Sequence, residues 1–217
     1  MSEADRERWD ERWAARAAEA RGPGEPSALL LALDPLLPRA GRALDLAGGA
    51  GRHALWLLAR GLEVSVVDVS PVGLAQARAA AAAAGLASRL ETRELDLERV
   101  EAGQAPFPAS PQFPRGPWAL ILCFHFLWRP LPREAARALV PGGLLLWVQP
   151  TVRNLERHAH PSARFLLGEG EMAALAAAVP QLEVVRLDEG WSVEGRHEAL
   201  LLARRVDRPG PSGQEPS

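Results

Sequence analysis

Short runs of aliphatic and β-branched residues recur along this chain, separated by longer stretches in which apolar and polar residues share a helical period. The runs fall at residues 43–46, 63–67, 90–95, 118–124, 144–149, 182–187 and 198–204. The fourth of them, from Trp118 to Phe124, is apolar throughout, as a parallel strand covered on both faces is. Helical stretches are expected over 4–20, 28–34, 53–60, 70–85 and 132–139, and a last one opened by Gly168-Glu169-Gly170-Glu171-Met172 and ending near Pro180. Several carry their own end signals. Ser70 and Pro71 suit an N-cap and first helical position, Ser27 caps the segment before Pro35, and Gly61 suits a helix C-terminus. Ser2, with Asp5 in the capping-box position, suits the first helix. The last two strands are joined only by residues 188–195, so they must be antiparallel. The alternation predicts an α/β fold: a doubly wound, mostly parallel sheet with helices on both faces and an antiparallel C-terminal strand.

Four stretches fall outside this alternation. Arg21-Gly22-Pro23-Gly24-Glu25-Pro26 reads as a hinge, which sets residues 1–26 apart as a first helix that could act as a lid. Pro106, Pro108, Pro111, Pro114 and Pro117 make residues 103–117 a surface loop. Residues 151–165 are polar and irregular. The segment from Asp207 onward, rich in Pro, Gly and Ser, is expected to be a disordered tail. The body of the domain is then 27–206.

The turn between the first run and its helix carries the chemistry. Leu44-Asp45-Leu46-Ala47-Gly48-Gly49-Ala50-Gly51-Arg52-His53 places three glycines in four residues between a strand and a helix start. Such a loop lets a ligand approach bare backbone, and the helix N-terminus adds unpaired N–H groups. Gly49-Ala50-Gly51-Arg52-His53-Ala54 also satisfies the loose dinucleotide pattern G-x-G-x-x-G/A, with Asp68 about 20 residues on. On the residues alone, a nicotinamide dinucleotide and another nucleoside-bearing cofactor both stay open.

The fuller string from Leu44 to Gly51 resembles the first motif of the Rossmann-like, class I methyltransferases that depend on S-adenosylmethionine (SAM). The order helix, Pro141-Gly142-Gly143, apolar strand and antiparallel closing strands resembles the same class. Trp9-Asp10-Glu11-Arg12-Trp13, the 124–130 segment and the 167–172 segment are similar to its tellurite-resistance and thiopurine branch. The resemblance implies that Asp45, Gly48, Gly49 and Gly51 hold the amino-acid end of SAM. It implies that Asp68 accepts hydrogen bonds from the ribose hydroxyls and that Asp96 meets the adenine. It also implies a small-molecule acceptor: a soft nucleophile such as a tellurite- or selenite-like oxyanion, or a thiol. Trp9 and Trp13, four apart, share one helix face. They either staple that helix to the body or cover the cofactor. A small organic oxygen or nitrogen nucleophile as acceptor, and a SAM-binding protein without turnover, are the alternatives within this reading.

Composition narrows the field. None of the 25 basic residues is lysine, and there is no tyrosine. A Walker-type loop, Schiff-base chemistry and a tyrosine–lysine dehydrogenase are thereby excluded. An NAD-dependent oxidoreductase would also need a substrate domain for which 217 residues leave no room. The formal net charge of −2 gives no footprint for nucleic acid. No apolar run spans a bilayer and the N-terminus lacks a signal peptide's apolar core, so a soluble cytoplasmic protein is expected. Cys123 stands alone and reads as a core residue. His158 and His160 lack a third ligand in sequence, so no metal site is expected. The sequence is silent on oligomeric state.

Doubly wound sheets present their chemistry at the C-terminal edge of the strands. His125 and Arg129, just past the 118–124 strand, are therefore the candidate catalytic residues. Arg12, Arg153 and Arg164 are further cations for an anionic acceptor, and His158 is a further donor or weak base.

Overall fold

The computed structural model describes residues 3–19, 22–97 and 113–207. Ser2, most of the proline-rich loop and the 208–217 part of the tail lie outside the described residues. The sheet has seven strands in the order β3-β2-β1-β4-β5-β7-β6. They are β1 (Arg42–Leu46), β2 (Glu63–Asp68), β3 (Leu90–Glu94), β4 (Trp118–Phe124), β5 (Leu139–Pro150), β6 (Leu182–Trp191) and β7 (His197–Arg205). The β3-β2-β1-β4-β5 pairs are parallel, and β7 runs antiparallel to both β5 and β6. The antiparallel pairing of β6 and β7 follows from the short connection between them.

Alternation along the strands sends side chains into two cores. Leu44, Leu46, Ile121, Cys123, Trp147 and Leu201 face one side. There they meet α5 (Leu131–Ala138) and α6 (Glu171–Ala177). Ala43, Leu120, Leu122, Phe124, Leu200 and Leu202 face the other. That side is covered by α2 (Ala28–Ala32), α3 (Arg52–Ala59) and α4 (Pro71–Ala83). Helices on both faces account for strands such as β4, buried along its length. Trp118 and Trp147 are fully buried; truncating either to alanine would cost about 3–5 kcal/mol.

Boundaries differ from the expected ones where a turn was read as a break. Pro141-Gly142-Gly143 does not end a helix before a new strand. It sits within β5, at a register shift against Trp118 and Leu120. The final hairpin is longer than expected, with β6 continuing to Trp191. Residues 151–165 hold two short 3-10 turns, tied to the body by a bridge between Thr151 and Leu167. The first helix, α1 (Glu3–Ala18), packs along α4.

Candidate functional site

The glycine loop sits at the C-terminal edge of β1, between the ends of β2 and β4. It is tied to its neighbour by Gly48 N–H donating to Val67 O (3.3 Å) and closed by Gly51 N–H donating to Gly48 O (2.9 Å). Each glycine answers to a different neighbour. A Cβ on Gly48 would lie 2.7 Å from Asp45 Oδ2, and one on Gly51 would lie 2.9 Å from Ala77 Cβ of α4. One on Gly49 would lie 2.3 Å from Cζ2 of Trp13. Gly49 and Gly51 also have φ of +54° and +80°. Ala47 shares this left-handed region at φ +55°, where an L side chain is disfavoured.

Asp45 lies under this loop on β1, 1% exposed, with Oδ2 making no hydrogen bond among the described residues. Burial raises its carboxyl to about 7, with Asp68 adding to the rise and the Arg52 cation and the Ala54 N–H opposing it. A buried acceptor without a donor fits the ammonium group of an amino acid. Asp68, at the end of β2, accepts from Gly49 N–H (2.8 Å) and Ser70 N–H (2.9 Å). Burial raises its carboxyl against those backbone bonds, and Asp10 adds to the rise. A carboxylate has about four acceptor positions, so both oxygens retain capacity for sugar hydroxyls. Leu95 N–H donates to Asp68 O (2.9 Å), which lays the half-buried Asp96 beside the end of β2.

The helix α1 lies over this constellation. Ser70 Oγ caps α4 through Gly73 N–H and itself donates to Asp10 of α1. Gln76 Nε2 donates to Trp13 O at 2.7 Å. The Trp13 indole covers both Gly49 and Gly73, and Trp9 stacks beside it at 6.4 Å between centroids. Trp13 thus packs on the body of the domain, and does so on the glycine loop itself.

His125 follows β4 with φ +60°. Its N–H donates to Val148 O (2.8 Å), and its Nε2 lies 2.6 Å from Oε1 of Glu198 on β7. His53, the second residue of α3, packs its ring on Phe124 at 4.2 Å between centroids. Burial, Arg52 and His125 hold His53 well below the usual imidazole range, so it is neutral. Arg129 points elsewhere. It forks onto Glu171 of α6, with Nη2 at 3.2 Å from Oε2, and Glu171 also accepts from Gly168 N–H (2.7 Å).

The remaining candidates are dispersed. Arg12 is drawn in with Arg16, Arg52 and Arg196, and burial and mutual repulsion lower its guanidinium. Arg153 pairs with Glu156 at 2.8 Å, and Arg164 stacks on Phe165 at 4.3 Å. His158 meets Gly195 O at 2.7 Å. Cys123 is buried and its thiol pushed far up by burial, so it is not a nucleophile. Among the described residues no group of three His, Cys, Asp or Glu is arranged to hold a metal. None of their helices is long and apolar enough to cross a membrane.

Sequence reasoning passed over Glu198, His53 and Arg52. The signal for Glu198 was an acid opening the apolar run Ala199-Leu200-Leu201-Leu202. The signal for Arg52 and His53 was their place directly after the last glycine.

Residues 43–143 match the family model of a methyltransferase domain. No curated protein matches the sequence. Among solved structures, one is a protein from work on converting a disulfide bond into a thioacetal group during echinomycin biosynthesis. It has TM-score 0.62 and 18% identity over 93% of this chain and 92% of that one. Another is TehB from Haemophilus influenzae, with TM-score 0.61 and 18% identity over 82% of this chain and 61% of that one. A third is geranyl diphosphate C-methyltransferase from Streptomyces coelicolor, solved with S-adenosyl-L-homocysteine. Its TM-score is 0.62 and its identity 16%, over 82% of this chain and 76% of that one. Residues 43–143 thus carry the match to a methyltransferase domain, and the chain shares the Rossmann-like fold of these structures.

Proposed function

We propose that this chain transfers the methyl group of SAM to a small soft nucleophile, a tellurite- or selenite-like oxyanion or a thiol, by in-line displacement. The observation that supports it is the position of α1, whose Trp13 covers the glycine loop while Asp10 bonds to Ser70 beside Asp68. A site closed over by one helix suits a small acceptor and excludes water. TehB is a structural neighbour at 18% identity, which supports the fold and leaves the acceptor to experiment.

The cofactor supplies an electrophilic methyl group on a sulfonium sulfur. The chain's own residues do the rest. Asp45 Oδ2 takes the amino group, Asp68 the ribose hydroxyls, and the glycine loop brings backbone close to both. Ordering the acceptor in line with the breaking bond supplies several kcal/mol. The half-buried Arg52 and the exposed Arg12 give the α1 side of the site positive charge for an anionic acceptor.

Calorimetric titration with SAM, with NADH as comparator and Asp68→Ala as control, tests the cofactor site. Methyl-transfer assays with selenite, tellurite, thiols and small alcohols and amines then test the acceptor. SAM binding weakened in the variant, with turnover of a soft acceptor, is the expected result. NADH binding without SAM binding would overturn the reading. Tight SAM binding with no turnover of any acceptor would make the chain a SAM-binding protein.

A further inference from the structure

Glu198 is the second residue of β7 and is 4% exposed. A carboxylate so deep is costly unless something pairs with it. Its Oε1 has one partner, His125 Nε2 at 2.6 Å, and its Oε2 makes no hydrogen bond among the described residues. The pair joins two distant parts of the chain, 73 residues apart, at the edge where the glycine loop lies. His125 reaches Glu198 from a left-handed backbone that residues with side chains avoid. Such outliers persist where the surroundings fix them, and many mark working sites. Here the bond from His125 N–H to Val148 O fixes the backbone and Glu198 fixes the ring. His53 of α3, held neutral, is a titratable neighbour that feels His125.

We infer that Glu198 positions His125 as the base that takes the acceptor's proton, so that the acceptor is a protic nucleophile, X–H. The inference rests on the methyl-transfer reading above and narrows its acceptors to thiols and other groups that must shed a proton. An ionised carboxylate only accepts, so Glu198 holds the proton of His125 on Nε2 and leaves the Nδ1 lone pair free. As the acceptor attacks, the X–C bond forms and the S–C bond breaks, and its electron pair returns to sulfur as a neutral thioether. The proton of X–H passes to His125 Nδ1, and the imidazolium so formed faces the Glu198 carboxylate. Water takes that proton after product release. A soft lone pair on tellurium or selenium would need none of this, and a buried carboxylate behind the imidazole would be idle. In these terms His125 is the catalytic base and Glu198 a positioning residue.

Long-range ¹H–¹⁵N spectra of the full chain test the pair directly, with His125 identified by the signals lost in His125→Gln. The expected result is an Nε2–H tautomer that becomes mixed in Glu198→Gln and returns in Glu198→Asp. With a thiol acceptor, Glu198→Gln should lower kcat at least tenfold while KM for SAM holds. The loss should grow as the acceptor becomes less acidic, and added imidazole should restore part of the activity of His125→Gln. An Nδ1–H tautomer in the parent protein would overturn the inference. So would an unchanged tautomer and kcat in Glu198→Gln. Absence of SAM binding to the parent protein would instead sink the cofactor reading, and calorimetry on the same samples tells the two failures apart.

Discussion

The indole of Trp13 rests on Gly49 so closely that a methyl group added there would overlap its ring. The glycine loop and the first helix are therefore in direct contact, and on the proposed reading α1 opens to admit the cofactor and closes over it again. Apparent affinity then carries the cost of opening α1. Titration with SAM should change the tryptophan emission of the parent protein and change that of Trp13→Phe far less. In stopped flow, Trp13→Ala should bind SAM several-fold faster, because association no longer waits on the helix. Equal rates and equal emission changes would mean that the cofactor enters without touching Trp13.

On the proposed reading, Asp45 links cofactor binding to pH. Its carboxyl stands at about 7 in the folded chain against an ordinary 3.8. The folded state therefore holds a proton that the unfolded state has lost over that window. Stability falls as pH rises from about 4 to about 7, by on the order of 4 kcal/mol, and levels off above. Urea unfolding at pH 5 and pH 8 should show about 2.6 kcal/mol of this fall in the parent protein and a much flatter profile in Asp45→Asn. SAM brings an ammonium group to the ionised carboxylate, so it should recover more stability at pH 8 in the parent than in the variant.

How much of this could be read from the sequence depends on how local each feature is. The glycine loop, the strand-end acids Asp45 and Asp68, and the antiparallel closure of β6 and β7 are written in contiguous residues, and the structure places them as expected. The union of His125 with Glu198 is not, because the partners are 73 residues apart and only sheet order brings β4 and β7 to one edge. The same holds for Trp13 on Gly49. Helical spacing put Trp9 and Trp13 on one face, and only packing could say which glycine that face meets. Pro141-Gly142-Gly143 misled in the other direction: turn residues inside a strand mark an irregular pairing with β4 as readily as a break.

Ala47 holds a left-handed conformation at φ +55° in the middle of the loop. For a residue with a Cβ that conformation costs about 1–2 kcal/mol, and glycine avoids it at a smaller entropic cost in the unfolded chain. Ala47→Gly should therefore raise unfolding stability by about 1 kcal/mol in urea and leave SAM affinity within about twofold. Ala47→Val, β-branched at the same φ, should lower it. A destabilised glycine variant would show that the Ala47 methyl group packs more favourably than its backbone strain costs.

Arg129 separates an anion-binding role from a mechanical one. Its guanidinium forks onto Glu171, which raises the guanidinium and lowers the carboxyl, and Glu171 also holds Gly168 N–H. The arginine is about half exposed, so the pair contributes no more than about 1 kcal/mol. Its structural effect is to tie the segment after β4 to the start of α6. Arg129→Gln and Glu171→Gln should then behave alike: a small loss of stability, unchanged SAM affinity, and kcat within about threefold. If Arg129 instead grips the acceptor, Arg129→Gln alone would raise KM for an oxyanion acceptor about tenfold or more, the scale of a lost charge-assisted hydrogen bond. Glu171→Gln would free the guanidinium and lower that KM. The two variants moving in opposite directions would place Arg129 in the acceptor site, and moving together would confine it to the clamp.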